Sequence, residues 1–318
     1  MMQMILIGIG AGAATALLFA SVASGSLFSV LLFYLAPLPI LIAALGWSHW
    51  AALIAAMFAS VSLATIFGPF LFVAFLLGIG LPAWWLGYLA LLARPTGEPP
   101  PGDVEWYPVG NLAVWAAIVG ALIVIAALFN FSTSEEGFRA ALRSGLERVL
   151  QMQTRGTKAP DLNRVLDFLV LALPPAAAVL TTITSVLNLW LAGRIVAVSG
   201  RLPRPQPDLS AMRFPSYAPL LTGAAIAGSF LPGMIGTAAG VLAASLLMAY
   251  ALLGCAVLHN ITRGMNARVL MLGGAYASVL VLGWPALVLM MIGLTDAALD
   301  LRGRAARRRG PPGPGTPT

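Results

Sequence analysis

Apolar residues fill this chain in long, nearly unbroken blocks, and the polar positions between them are short and turn-forming. No charged side chain occurs before Arg94 and no acidic one before Glu98, so His49 is the single side chain ionisable near neutral pH in that opening stretch. A helix crossing the hydrocarbon core of a membrane needs about 20 mostly apolar residues. Membrane β-barrels show weak alternation over segments of about 10 residues instead. The pattern therefore predicts an all-α, polytopic transmembrane bundle. Breakers at Ala23-Ser24-Gly25-Ser26, Gly46-Trp47-Ser48-His49 and Gly68-Pro69, and the Pro/Gly-rich stretch 94–108, divide the chain. The predicted spans are 3–23, 28–46, 50–67, 70–93, 109–131, 165–198, 217–231, 234–261, 268–283 and 285–301, with eight or nine crossings as alternatives. The span 165–198 would be about 51 Å long, so Pro174-Pro175 is expected to kink it and leave 176–198 as the crossing.

One segment has another pattern. In 134–153, Phe138, Leu142, Leu146 and Val149 recur at helical spacing while Arg139, Arg143, Glu147 and Arg148 take other faces. This predicts an amphipathic helix at the membrane surface, with Thr133 and Glu136 as its capping box. It is either a lid over an outward cavity or an interfacial connector.

Composition agrees with the pattern: 59% of residues are hydrophobic and 9% charged, with a mean hydropathy of +0.91. The N-terminus lacks a basic n-region, so the first span is expected to be retained. The single cysteine, Cys255, excludes an internal disulfide and a Cys-rich metal site. Most of the net charge of +7 comes from short loops and the tail, which makes it a topology signal. No nucleic-acid partner is expected. Arg94, the loop with Arg201, Arg204 and Arg213, the loop with Arg263 and Arg268, and the tail from Arg302 all fall on the cytoplasmic side if ten spans start inside. That arrangement leaves 132–164 outside despite its six Lys/Arg. The organisation expected is a core over 1–199, a cytoplasmic loop over 200–216, C-terminal spans over 217–301, and a basic tail over 302–318 touching anionic lipid.

The opening Gly8-Ile9-Gly10-Ala11-Gly12-Ala13 matches G-x-G-x-x-A, a dinucleotide-binding fingerprint. The fingerprint needs an acidic residue about 20 positions on, and none is there. Gly8, Gly12 and Ala16 instead share one helical face with Ala20, where small side chains let helices approach closely. Gly236 and Gly240 repeat the spacing. Such faces pack within the chain or against a partner subunit, a second copy included.

Candidate chemistry is sparse. Thr181, Ser185 and Asn188 form a polar stripe in the sixth span, flanked by Thr182 and Thr184. Polar groups at that depth must be satisfied by other helices, water or a ligand. The stripe is either interhelical glue or the wall of a substrate cavity. His259 and Asn260 end the eighth span beside Arg263 as a further candidate pair; His259 with Cys255 supplies too few ligands for zinc. Asp296 and Asp300 near Arg302 and Arg304 read as an exposed interfacial cluster worth little. Trp84, Trp85, Tyr88, Trp106 and Tyr107 read as an aromatic belt. No cofactor motif, G-x-S-x-G, H-E-x-x-H or Walker A pattern occurs, and Ser229 or Ser245 with His259 is the only thin hydrolytic pairing, so no enzyme is expected.

The Gly/Ala-rich first helix, Ala36-Pro37-Leu38-Pro39 and the Gly46-Trp47 turn resemble the substrate-binding subunits of energy-coupling-factor transporters. The C-terminal half is closer to the YybS-like family of uncharacterised bacterial multi-pass membrane proteins. That likeness rests on Asn188–Arg194 (NLWLAGR), Leu202-Pro203 and Leu253–Arg263 (LGCAVLHNITR). The resemblance implies a six-helix core with four added helices in a bacterial inner membrane. It also implies that Gly8, Gly12 and Ala16 dock on a coupling subunit served by separate ATPases. The function expected is a substrate-binding or transport subunit for a small molecule; the alternative is a membrane scaffold or assembly factor.

Overall fold

A computed structural model describes residues 1–96, 104–132, 134–154 and 162–304. Thirteen α-helices are defined among them. The first span is α1 (Met2–Ala20), extended by a 3₁₀ turn to Ser24 and stopped at Gly25 with φ 66°. The second is broken into α2 (Leu27–Tyr34) and α3 (Leu38–Gly46), because Pro37 and Pro39 cannot donate to the preceding turn. Next come α4 (His49–Phe67), capped by the Ser48 hydroxyl, and the pair α5 (Phe70–Phe75) and α6 (Leu81–Ala90). A π-turn at Leu76–Gly80 joins that pair and absorbs the hydrogen bond that Pro82 lacks. A two-stranded hairpin (β1 Ala93–Pro95, β2 Val104–Trp106) carries an Arg94–Glu105 ion pair and leads into α7 (Val109–Phe131).

The amphipathic segment is α8 (Glu135–Thr154). Ser134 caps it, its hydroxyl accepting from the Gly137 N–H at 3.2 Å; Thr133 lies outside the described residues. The helix does more than float at an interface: Phe138 is buried between α7, α9 and α11, packed with Val124, Ala178 and Met234. Arg143 ties it to α9 through Asp167 and Asn163. α9 (Leu162–Val198) is helical over 37 residues and continues across Pro174 and Pro175.

Seven of the ten expected spans are helices long and apolar enough to cross a membrane. The other three are shorter apolar helices: α10 (Ala218–Gly228), α12 (Arg268–Leu282) and α13 (Pro285–Leu299), of 11, 15 and 15 residues. At 1.5 Å per residue, α10 spans only about 16 Å, roughly half a hydrocarbon core. The Ser229–Pro232 turn returns it along the start of α11 (Gly233–Ile261), where Gly228 meets Ala239.

Small residues set the closest helix contacts. A Cβ on Gly12 would sit 2.6 Å from the Ala55 carbonyl oxygen, and one on Gly8 would sit 2.7 Å from Ile54, so α1 lies directly on the alanine face of α4. Ala16 and Thr15 are buried in the same seam. The face that the resemblance assigns to a coupling subunit is thus filled by this chain's own α4. Gly236 abuts the Leu231 carbonyl and Gly240 lies near Ser229, so that pair serves the α10–α11 turn. α11 and α13 meet through Gly254 and Gly293, whose added Cβ atoms would fall 1.8 and 2.0 Å from the Leu289 and Tyr250 carbonyl oxygens. Inside the bundle, the Ser245 hydroxyl donates to the Ala117 carbonyl at 2.6 Å and lies 2.7 Å from the Thr182 hydroxyl, joining α7, α9 and α11.

Two expectations are corrected. Asp296 and Arg302 do not form an exposed cluster: their side chains are 5% and 7% exposed, and they bond to each other. Trp84, Trp85 and Tyr88, expected as an outward belt, are partly buried against the core, with Trp85 edge-on to Trp115 at 5.6 Å and Trp84 stacked on Tyr88 at 6.0 Å.

Candidate binding cavity at the basic end

The connection from α9 to α10 does not hang free. Arg201 lies over Trp47, Arg204 donates to the Ala90 carbonyl at 3.1 Å, and the Arg213 carbonyl presses on Gly110, where a Cβ would be 1.8 Å away. Asp208 caps a 3₁₀ turn at Leu209–Ala211 by accepting from the Ser210 N–H and hydroxyl. Arg263, from beyond α11, bonds Asp208 at 2.6 Å and the Ser210 hydroxyl at 2.5 Å. Arg302, from beyond α13, donates to the Ser210 carbonyl at 2.9 Å, and Arg213 pairs with Asp300 at 3.2 Å. Three separated segments therefore pin one loop across the same end of the bundle. With the Arg263 guanidinium and the Ser210 hydroxyl bonded to it, the Asp208 carboxyl is held down at about 2.

Between that loop and the helices lies a cavity of about 540 Å³, a size typical of small-ligand sites. Its apolar wall comes from α7 (Leu112, Ala113), α9 (Val186, Leu189) and α11 (Leu252, Ala256). Its polar side carries Arg194, Arg204, Arg263 and Arg268. Four arginines face one aspartate, Asp208, which leaves a net lining charge of +3. Among the described residues, Arg263 is the one of the four with that carboxylate as a partner: Arg194 donates to Gln206, and Arg204 reaches a backbone carbonyl. Burial pulls the Arg204 pKa below its ordinary value, the mark of a charge partly stripped of water. The guanidinium remains protonated all the same.

The residues singled out from sequence divide. His259 lines the cavity, with its Nδ1 3.0 Å from the Cys255 carbonyl and 3.3 Å from the Tyr276 hydroxyl. Asn260 sits behind it, its amide 3.5 Å from the Ser210 carbonyl. The stripe on α9 faces elsewhere. Asn188 is buried and donates to the Tyr34 and Thr184 carbonyls, clamping α2 onto α9. Thr181 bonds back to Ala177, and Ser185 is half-buried away from the cavity. The cavity takes the opposite side of α9, through Val186, Leu189, Trp190 and Gly193. Neither Ser229 nor Ser245 bonds to His259: Ser229 donates to Ile226 and Ser245 to Ala117. Sequence reading used Arg204, Arg263 and Arg268 to orient the chain and quoted Arg194 in the family likeness. Their convergence is visible only once α9, α11 and α12 are brought together.

No curated protein and no solved structure matches this chain. The family model described as predicted membrane protein (DUF2232) matches residues 13–297, nearly the whole of the bundle just described. The chain therefore belongs to the DUF2232 family of membrane proteins, the family also known as YybS-like.

Proposed function

We propose that this protein is a non-catalytic, substrate-binding membrane subunit whose substrate is a small organic anion held in the basic-end cavity. The observation that carries the reading is the cavity itself: about 540 Å³, apolar on the helix side, with four arginines against one aspartate. Clustered guanidinium groups of that kind suit bidentate recognition of an anion. The small-residue faces at Gly8, Gly12 and Gly236 are occupied within the chain, which removes them as docking faces for a scaffold and for a coupling subunit alike and leaves the cavity as the support for a binding role. On this reading the basic end is cytoplasmic in a bacterial inner membrane, and any ATPase driving transport is a separate chain.

The test is native mass spectrometry of the full-length protein released from mild detergent, for the wild type and for Gly193→Phe. Gly193 lines the cavity and has nothing within 4 Å of where its Cβ would be, so the ring fits the fold and fills the site. A one-to-one anionic adduct on the wild type that Gly193→Phe loses is the expected result. An adduct that survives Gly193→Phe, or a wild-type protein that carries none, would overturn the reading.

A further inference from the structure

We propose that the cavity binds a lipid phosphate, a chain-bearing amphiphile whose phosphate head meets Arg204, Arg263 and Arg268 and whose chain lies along the apolar wall. The inference rests on the binding function proposed above and names the class of its substrate. Three observations carry it.

The first is the division of the lining. Leu112, Val186, Leu189 and Leu252 lie on one side of the same space whose other side is cationic. A small hydrophilic anion would satisfy the arginines and leave that wall wet. An amphiphile covers both, and burying each methylene of its chain contributes about 0.8 kcal/mol. The second is charge. A net lining charge of +3, with Arg204 partly desolvated and without a carboxylate partner among the described residues, exceeds what one carboxylate neutralises. A phosphate monoester carries about −1.5 to −2 at neutral pH and offers three acceptor oxygens to planar guanidinium forks. The third is access. α12 has no buried residue, and it contributes Arg268 and Tyr276 to the cavity opposite Trp190 and Arg194 of α9. Trp190 and Tyr276 are 46% and 39% exposed on that flank. Half-exposed side chains of α9 and α12 thus border the cavity, the flank by which a lipid would enter, with Arg268 at the start of α12 and Arg263 just beyond α11. Basic pockets between membrane helices suit phosphate headgroups.

The experiment titrates the detergent-purified full-length chain with dioleoyl phosphatidic acid, dioleoyl phosphatidylcholine and glycerol 3-phosphate, read by native mass spectrometry and by thermal shift. Phosphatidic acid is expected to bind one-to-one, at least tenfold tighter than either other probe. Arg204→Gln combined with Arg268→Gln is expected to weaken it tenfold or more. Because Arg204 also holds the Ala90 carbonyl, Arg268→Gln alone serves as a second variant: it lies outside the loop contacts, and a loss of three- to tenfold is expected. Glycerol 3-phosphate binding as tightly as phosphatidic acid, with the same arginine dependence, would overturn the lipid assignment and leave the anion site standing. Equal binding of both lipids, unchanged in the variants, would overturn it as ordinary lipid around the bundle. If phosphatidic acid fails while the native adduct lost in Gly193→Phe persists, the lipid class falls alone; if both fail, the binding function falls with it.

Discussion

The buried ion pair behind the cavity gives the sharpest test of the packing. Arg302 donates through Nε and Nη2 to Asp296 Oδ2 at 3.0 and 2.7 Å, and its backbone N–H donates to Oδ1 at 3.1 Å. Its Nη1 reaches the Ser210 carbonyl on the cavity loop. Arg302→Gln strips the carboxylate of its counter-charge while leaving it buried. Breaking one side of such a pair costs about 3–5 kcal/mol, whereas an exposed pair is worth about 0–1 kcal/mol. For a chain of this size that corresponds to a fall in melting temperature of roughly 4–8 °C. The assay is thermal unfolding in detergent followed by tryptophan fluorescence, with Asp296→Leu/Arg302→Met as the companion. Removing both charges takes away the stranded carboxylate, so the double variant should regain more than half of the loss. A single variant costing less than 1 kcal/mol, or a double variant no better than the single, would refute the buried geometry.

Other expectations follow from the same contacts. Gly254→Ala and Gly293→Ala each drive a Cβ into a backbone oxygen of the facing helix and should cost about 3 kcal/mol or more; Gly193→Ala, with open space beyond it, should be neutral or stabilise by up to about 1 kcal/mol in the same melts. Ser245→Ala and Thr182→Val should each cost about 1 kcal/mol, and less than additively together, because they share one network. The Asp208 carboxyl is depressed from 3.8 to about 2, so its contribution is complete above about pH 4 and fades as pH falls toward 2. Wild type minus Asp208→Asn melting differences should therefore be flat from pH 5 to pH 8 and shrink only in acid.

The helices were legible because membrane spans are written in composition: without charge before Arg94, that stretch had no other stable home. Breaks at Gly25 and Gly68 were legible for a local reason, a positive φ, whereas the break at Pro37 falls inside a span that was expected to run unbroken over 28–46. What sequence reading missed is long-range. Spacing placed Thr181, Ser185 and Asn188 on one face, yet nothing local tells whether that face meets a cavity or the Tyr34 carbonyl. Asp296 and Arg302 sat close enough in sequence to suggest a surface cluster, and only the contact of α13 with α11 and the loop at Ser210 buries them. The arginines of the cavity belong to α9, to the loops beyond α9 and α11, and to α12, and no spacing rule connects them.

The position of the cavity also bears on how the two halves of the chain depend on each other. α7 and α9 supply part of its wall, but Arg204 comes from the loop beyond α9, Leu252 and Ala256 from α11, and Arg268 from the start of α12. Residues 1–199 taken alone would retain Leu112, Val186 and Leu189 and, of the four arginines, only Arg194. They would also lose the Ser245 hydroxyl that joins the Ala117 carbonyl and Thr182 across the middle of the bundle. The C-terminal helices are therefore structural partners of the first half as well as contributors of charge. If the proposed anion binds there, a site assembled across that seam would couple ligand to packing, because Arg204 and Arg268 reach it from the loop and from α12. The helix with the least buried surface, α12, is the element free to respond.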